Sequence, residues 1–328
     1  MWNFSFTRAL AVVARTWPFL ILRLVVVILS ALIFIVMGAS GALLGHQLAP
    51  LVIDSINPWQ GAIFGTFGGV GLGMAVLRIL REYALYLVKA AHIAVLVRLI
   101  DTGRLPDEPQ LAYGRKLVSG RFREASLLFG LDQMIKLVVH AVAKFFSGVG
   151  MLLPIPGLRA LLQIVHAVIE TSVTFVDEII LAHNIRNTGQ NPFKGAADAL
   201  VLYTQNGKAM LRNSAWLTLF LTLTGFVLLV CVVGPFALWY YYETGPEQAY
   251  ALIGAAVALL MIKEVVLEPV AVAALLQAFT EVTAGQQPDP RWRERLDAAS
   301  PAFTKLGNNG FHMPHDIAPA QPGGGQFA

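Results

Sequence analysis

Thirty consecutive residues, 213–242, contain no Asp, Glu, Lys or Arg. A soluble domain would have to seal such a stretch on every side. A bilayer only requires it to be long enough, and about 20 residues cross a hydrocarbon core of about 30 Å. Residues 24–45 form a second uncharged run of 22 residues, and 55–77 a third. Backbone amides in lipid must be satisfied within the segment or in a closed barrel. Continuous apolar runs of this length, without strict alternation, select helices. Only 13% of the 328 residues are charged and 56% are hydrophobic, about half the charge of an ordinary soluble domain. The sequence therefore predicts an all-α, polytopic membrane protein.

Three similar stops divide the chain. They read Thr102-Gly103-Arg104-Leu105-Pro106, Thr188-Gly189-Gln190-Asn191-Pro192 and, with one insertion, Thr283-Ala284-Gly285-Gln286-Gln287-Pro288. Gly after a helix with Pro beyond it is an ordinary ending, so a single copy says little. These three copies alternate with three turns, Asn57-Pro58-Trp59, Pro154-Ile155-Pro156-Gly157 and Glu243-Thr244-Gly245-Pro246. The pattern predicts three membrane hairpins over 1–106, 107–192 and 193–288, with a largely disordered tail over 289–328 and a short helix near 291–299. Six spans result, four of them clear and the two central ones amphipathic or re-entrant. Arg8, Arg15, Arg78, Arg81, Lys89 and Arg98 flank one side, whereas the first and third turns carry no Lys or Arg. The positive-inside rule then places both termini in the cytoplasm of a cell membrane, the inner one in a bacterium; Arg159 is the exception. Residues 61–100 read as one helix of about 60 Å, longer than the bilayer is thick. Residues 194–212 read as a polar, amphipathic cytoplasmic segment.

Within this frame several residues invite a role. Gly61, Gly65, Gly69 and Gly73 recur every fourth position, a stripe that lets another helix backbone approach closely. It suits packing within the fold and also a homo-oligomer seam. In the middle repeat, His166 and Glu170 share one helical face. Counted from Pro156 they lie ~15 and ~21 Å below the turn, and Lys144 and His140 on the ascending partner fall at the same depths. Ionisable groups inside a membrane usually face protein or water and pair with one another. Structural pairing, a polar pathway for substrate or ions, and an interfacial hairpin all accommodate these four residues. Asp177 falls ~31 Å below the turn, so Asp177 and Glu178 are expected as solvated charges at the inner interface. Lys263, Glu264 and Glu268 are expected there too.

Other chemistries find little support. Cys231 is the only cysteine, which excludes an internal disulfide and any multi-cysteine metal site. No H-E-x-x-H, G-x-S-x-G or Walker A pattern occurs, and His312 and His315 lie in the Gly/Pro-rich tail. No enzyme activity, cofactor or metal is expected. The formal charge of +4 follows from Lys and Arg beside apolar segments and does not imply nucleic acid.

Ala199, Tyr203, Asn206-Gly207-Lys208 and Asn213-Ser214-Ala215 form a pattern that resembles the choline-transporter-like family of polytopic membrane proteins, in which a comparable stretch precedes a late span. The order of Gly, Lys and Asn differs from the family's, and its long cysteine-bearing extracellular loop is absent. The resemblance covers about a third of the chain and implies transport of choline or a related organic cation. Two functions are therefore carried forward. One is a transporter or channel-like protein for a small organic or lipid-derived solute. The other is a non-transporting membrane scaffold that oligomerises through its Gly-rich helix and binds cytoplasmic partners.

Overall fold

The computed structural model describes residues 2–52, 57–121, 175–243 and 245–312. Among them every regular element is helical. A recurring start explains several of these helices: a short polar side chain followed by proline. At Asn57-Pro58 the Gln60 N–H donates to Asn57 Oδ1 (2.9 Å) and the Asn57 N–H to Gln60 Oε1 (3.1 Å), a reciprocal cap. Asn191 accepts from the Phe193 N–H, and Asp289 from the Arg291 N–H. Proline at the next position loses nothing, because its missing N–H would have had no partner in a first turn.

The helices are α1 (Phe6–Arg15), α2 (Trp17–Val52), α3 (Pro58–Thr102), α4 (Gln110–Arg121), α5 (Val176–Arg186), α6 (Pro192–Gln205), α7 (Gly207–Leu228), α8 (Gly234–Tyr242), α9 (Pro246–Ile262), α10 (Glu268–Val282), α11 (Pro290–Ala299) and α12 (Pro301–His312). Two π turns, Leu229–Val233 and Lys263–Leu267, join α7 to α8 and α9 to α10. Each precedes a proline, Pro235 or Pro269. A proline inside a helix lacks one donor and collides with the carbonyl four residues back; a wider turn at that point relieves the collision.

Three stretches among the described residues are long and apolar enough to cross a membrane: Trp17–Leu48, Gly207–Tyr242 and Glu247–Val282. Only 6–17% of their most apolar windows is buried within the protein. The chain divides into two compact units. One is Trp17–Lys89; the other joins the residues up to Thr16 with those from Ala90 onward. The smaller unit is the α2–α3 hairpin.

The larger unit is built around three helix ends, each leading into one of the stops: α3 from Ala90 onward, α5 and α10. Three short helices bridge them. Helix α4 lies against α5 and brings Gly114 so close to α3 that a Cβ there would stand 3.0 Å from the Ala91 Cβ. Helix α6 packs on α5 and stacks Tyr203 on Phe279 of α10, with centroids 6.5 Å apart. Helix α1 packs on α10, while its Arg8 donates to the Ile100 carbonyl of α3 (3.2 Å). At the end of α1, the Thr16 hydroxyl meets His92 Nε2 of α3 at 2.8 Å. Bridges and ends thus follow one another round a circle that the N-terminal segment closes, with α5 and α10 also in direct contact. Its core is fully buried: Ile93, Leu96 and Leu99 from α3, Ile179 and Ile180 from α5, Leu200 from α6, and Leu275, Leu276 and Phe279 from α10. Each such side chain contributes about 1.5–3 kcal/mol by leaving water.

The stops differ in detail. Gly103 and Gly285 adopt positive φ, 70° and 72°, the left-handed conformation that ends a helix and suits glycine. Gly189 does not. There the Asn187 side chain donates to the His183 carbonyl (3.1 Å) and ends α5 in place of a glycine.

Two expectations are corrected and one is extended. The short helix expected near 291–299 is present, residues 301–312 are helical as well, and 313–328 lie outside the described residues. Phe303 and Leu306, three residues apart on α12, are fully buried, and α12 packs on α6; this contact outweighs the nearby Gly and Asn residues. The polar surface expected over 194–212 begins instead as a helix buried along most of its length, because α5, α10, α11 and α12 cover it. Glu178, expected at a solvated surface, is 5% exposed, since α5 sits inside the larger unit. The six-span count draws on residues 122–174, which lie outside the described residues.

Candidate functional site

The glycine stripe takes its place in the smaller unit. A Cβ on Gly45 would lie 2.9 Å from the Gly65 Cα, and one on Gly41 3.0 Å from the Gly69 Cα. The reciprocal positions are as tight, at 2.9 Å from Gly65 to the Gly45 Cα and 3.2 Å from Gly69 to the Gly41 Cα. Gly61 presents its carbonyl to Gly45, and a Cβ on Gly73 would touch the Met37 side chain at 3.3 Å. The two backbones therefore meet with nothing between them, a contact no side chain allows. The outer faces carry exposed apolar residues, among them Ile35, Leu43, Phe64 and Phe67.

In the larger unit the segments Gly207–Tyr242 and Glu247–Val282 run side by side, with α8 against α9. Both contain a π turn, but their chemistry differs. The first turn is Leu-Val-Cys-Val-Val, with Cys231 exposed. The second carries Lys263 and Glu264 and is followed by Glu268. Lys263 is exposed; Glu264 and Glu268 are half-buried, four residues apart and so on one helical face.

At the helix ends, polar groups are paired through contacts the sequence did not disclose. Arg186 at the end of α5 makes a two-pronged ion pair with Asp101 at the end of α3, Nε to Oδ2 and Nη2 to Oδ1, both at 2.8 Å. The pair joins the first two stops. Its only sequence signal is position: each residue stands within two of a stop's Thr. Arg293 of α11 bonds Asp198 of α6. The Asn3 N–H donates to Asn213 Oδ1 (2.6 Å) and its side chain to Glu281 Oε1 (2.9 Å), so the N-terminus is held by α7 and α10. Asn184 is fully buried and lies against Gly195, where a Cβ would come within 3.2 Å of its Cγ.

His183 is the titratable group whose surroundings shift it most plainly. It packs edge-on to Phe279, with centroids 6.3 Å apart, and its Nε2 lies 3.0 Å from Asn187 Nδ2. Burial lowers its pKa from the ordinary 6.5; the Asp198 carboxylate opposes this and Arg186 adds to it.

Of the residues marked from sequence, His140, Lys144, His166 and Glu170 lie outside the described residues. Asp177 is half-buried at the start of α5, beside buried Glu178. Among the described residues no group of three His, Cys, Asp or Glu side chains is placed to hold a metal ion. No protein-family model, curated protein or solved structure matches the chain.

Proposed function

We propose that the chain is a six-span membrane transporter or channel-like protein for a small organic or lipid-derived solute. The observation that supports this best is the circle in the larger unit, where three helix ends alternate with three bridging helices. The circle gathers the three stops in one place, and a centre shared by membrane helices is where a polar route can run. Both termini lie on the cytoplasmic side in this arrangement, with the basic residues. Middle-repeat residues His140, Lys144, His166 and Glu170 supply the polar groups along the route. The choline-transporter-like pattern at residues 191–216 favours choline or another organic cation as the solute. Uptake of labelled choline into proteoliposomes is the direct assay, with Glu170→Gln expected to abolish it. Unchanged uptake in that variant removes Glu170 from the route.

The scaffold alternative draws on a different observation: between 6 and 17% of the apolar windows is buried, which leaves wide apolar faces for other membrane helices. A folded protein that moves no organic cation, yet crosslinks to itself or to a partner through those faces, would establish that alternative.

A further inference from the structure

A cavity of about 350 Å³ opens where α6, α11 and α12 meet, lined by Lys194, Ala197, Arg293, Asp297, Phe303 and Asn308 among others. Its volume sits at the small end of the range that holds compact ligands. The charges around it follow a pattern. Arg293 is anchored through one guanidinium nitrogen to Asp198, and a guanidinium carries five N–H donors, so it keeps donors for a second acceptor. Lys194 is exposed in the first turn of α6, whose positive dipole end adds to its field. Asp297, one turn beyond Arg293 on α11, is exposed, and neither it nor Lys194 enters an ion pair among the described residues. A plain anion would meet the Asp297 carboxylate, and a plain cation would meet Lys194 and Arg293. Only a molecule carrying both charges satisfies every wall.

We infer that this cavity binds a compact zwitterion with a phosphate at one end and an ammonium at the other. Lys194 and the free donors of Arg293 hold the phosphate, as expected for a Lys/Arg pair beside a helix N-terminus. Asp297 takes the ammonium, and Ala197 and Phe303 supply the apolar floor. The same chemistry occurs in a free phospho-amine and in the headgroup of an ethanolamine phospholipid.

Calorimetric titration of the full-length protein in nanodiscs with phosphoethanolamine, inorganic phosphate and ethanolamine provides the test. Phosphoethanolamine should bind about tenfold more tightly than phosphate, and ethanolamine more weakly than either. Lys194→Gln should weaken phosphoethanolamine and phosphate alike. Asp297→Asn should reduce phosphoethanolamine to the affinity of phosphate and leave phosphate unweakened. Both side chains are exposed, so unchanged melting curves are expected to accompany these losses. Weaker apparent binding in nanodiscs containing phosphatidylethanolamine assigns the site to the lipid headgroup; equal binding with and without that lipid assigns it to the soluble compound. Equal affinities for phosphate and phosphoethanolamine, no effect of Asp297→Asn, or no binding of any probe would overturn the proposal.

Discussion

The α2–α3 hairpin and the circle of helix ends use opposite ways of holding helices together. In the hairpin the contact is backbone on backbone at Gly41, Gly45, Gly65 and Gly69, and the large side chains point away. In the circle the large side chains point inward, with Leu96, Ile180, Leu276 and Phe279 fully buried. Each mode of packing suits a different medium. Lipid is as apolar as leucine, so turning leucine inward gains little there, whereas close backbone contact gains dispersion. In water, burying the side chains is the main driving force.

The strongest way to test that contrast is to remove one phenylalanine from each region. Phe279→Ala in α10 should cost about 3–5 kcal/mol in unfolding free energy, as a transfer loss plus a cavity. Phe67→Ala in α3 of the hairpin, where the ring is 73% exposed, should leave the midpoint of denaturation in detergent nearly unchanged. Similar losses at both sites would mean that Phe67 is packed against protein.

The hairpin is probed by adding a single methyl group. Gly65→Ala should destabilise by about 1–3 kcal/mol, because the new Cβ meets backbone that cannot turn aside. Gly68, three residues on, has nothing within 4 Å of an added Cβ, so Gly68→Ala should be neutral or slightly stabilising. A larger loss at Gly68 than at Gly65 would place the seam elsewhere.

The smallest expected effect concerns acid. His183 has a folded pKa below its unfolded value, so its stabilising contribution is complete above about pH 6.5. It is lost as pH falls from there through the folded value, because the unfolded chain binds the proton more readily. The circle should lose a few degrees of Tm between pH 7.5 and 5.5, and His183→Gln should flatten that slope. The hairpin Trp17–Lys89 lacks this group and should show no matching change; equal acid sensitivity in both units would assign the effect to other residues.

Sequence carried the long helices well. Proline, glycine and uncharged runs act locally, so the long helix over 61–100, the stop at Gly103 and the apolar run ending at Tyr242 could be read from the residues themselves, although the helix begins earlier, at Pro58. What lay hidden depends on residues far apart. Arg186 and Asp101 are 85 positions apart, and nothing in either neighbourhood names the other. Glu178 looked solvated because depth was counted along one helix, while its burial comes from neighbouring elements. Phe303 and Leu306 were two apolar residues in a polar tail, and two are too few to establish a period. The polar residues of the middle repeat were legible as candidates, and they lie outside the described residues.

The clasp at Asn3 has a consequence in time. Its side chain is bonded to Glu281, 278 residues away, so this bond waits for a partner made long after it. At roughly 5–20 residues per second, that wait lasts tens of seconds. The aromatic side of the N-terminal segment, Trp2, Phe4 and Phe6, has its partner Phe220 earlier. A chain cut short before α10 can still set these rings against α7, but the Asn3 bond to Glu281 stays unmade.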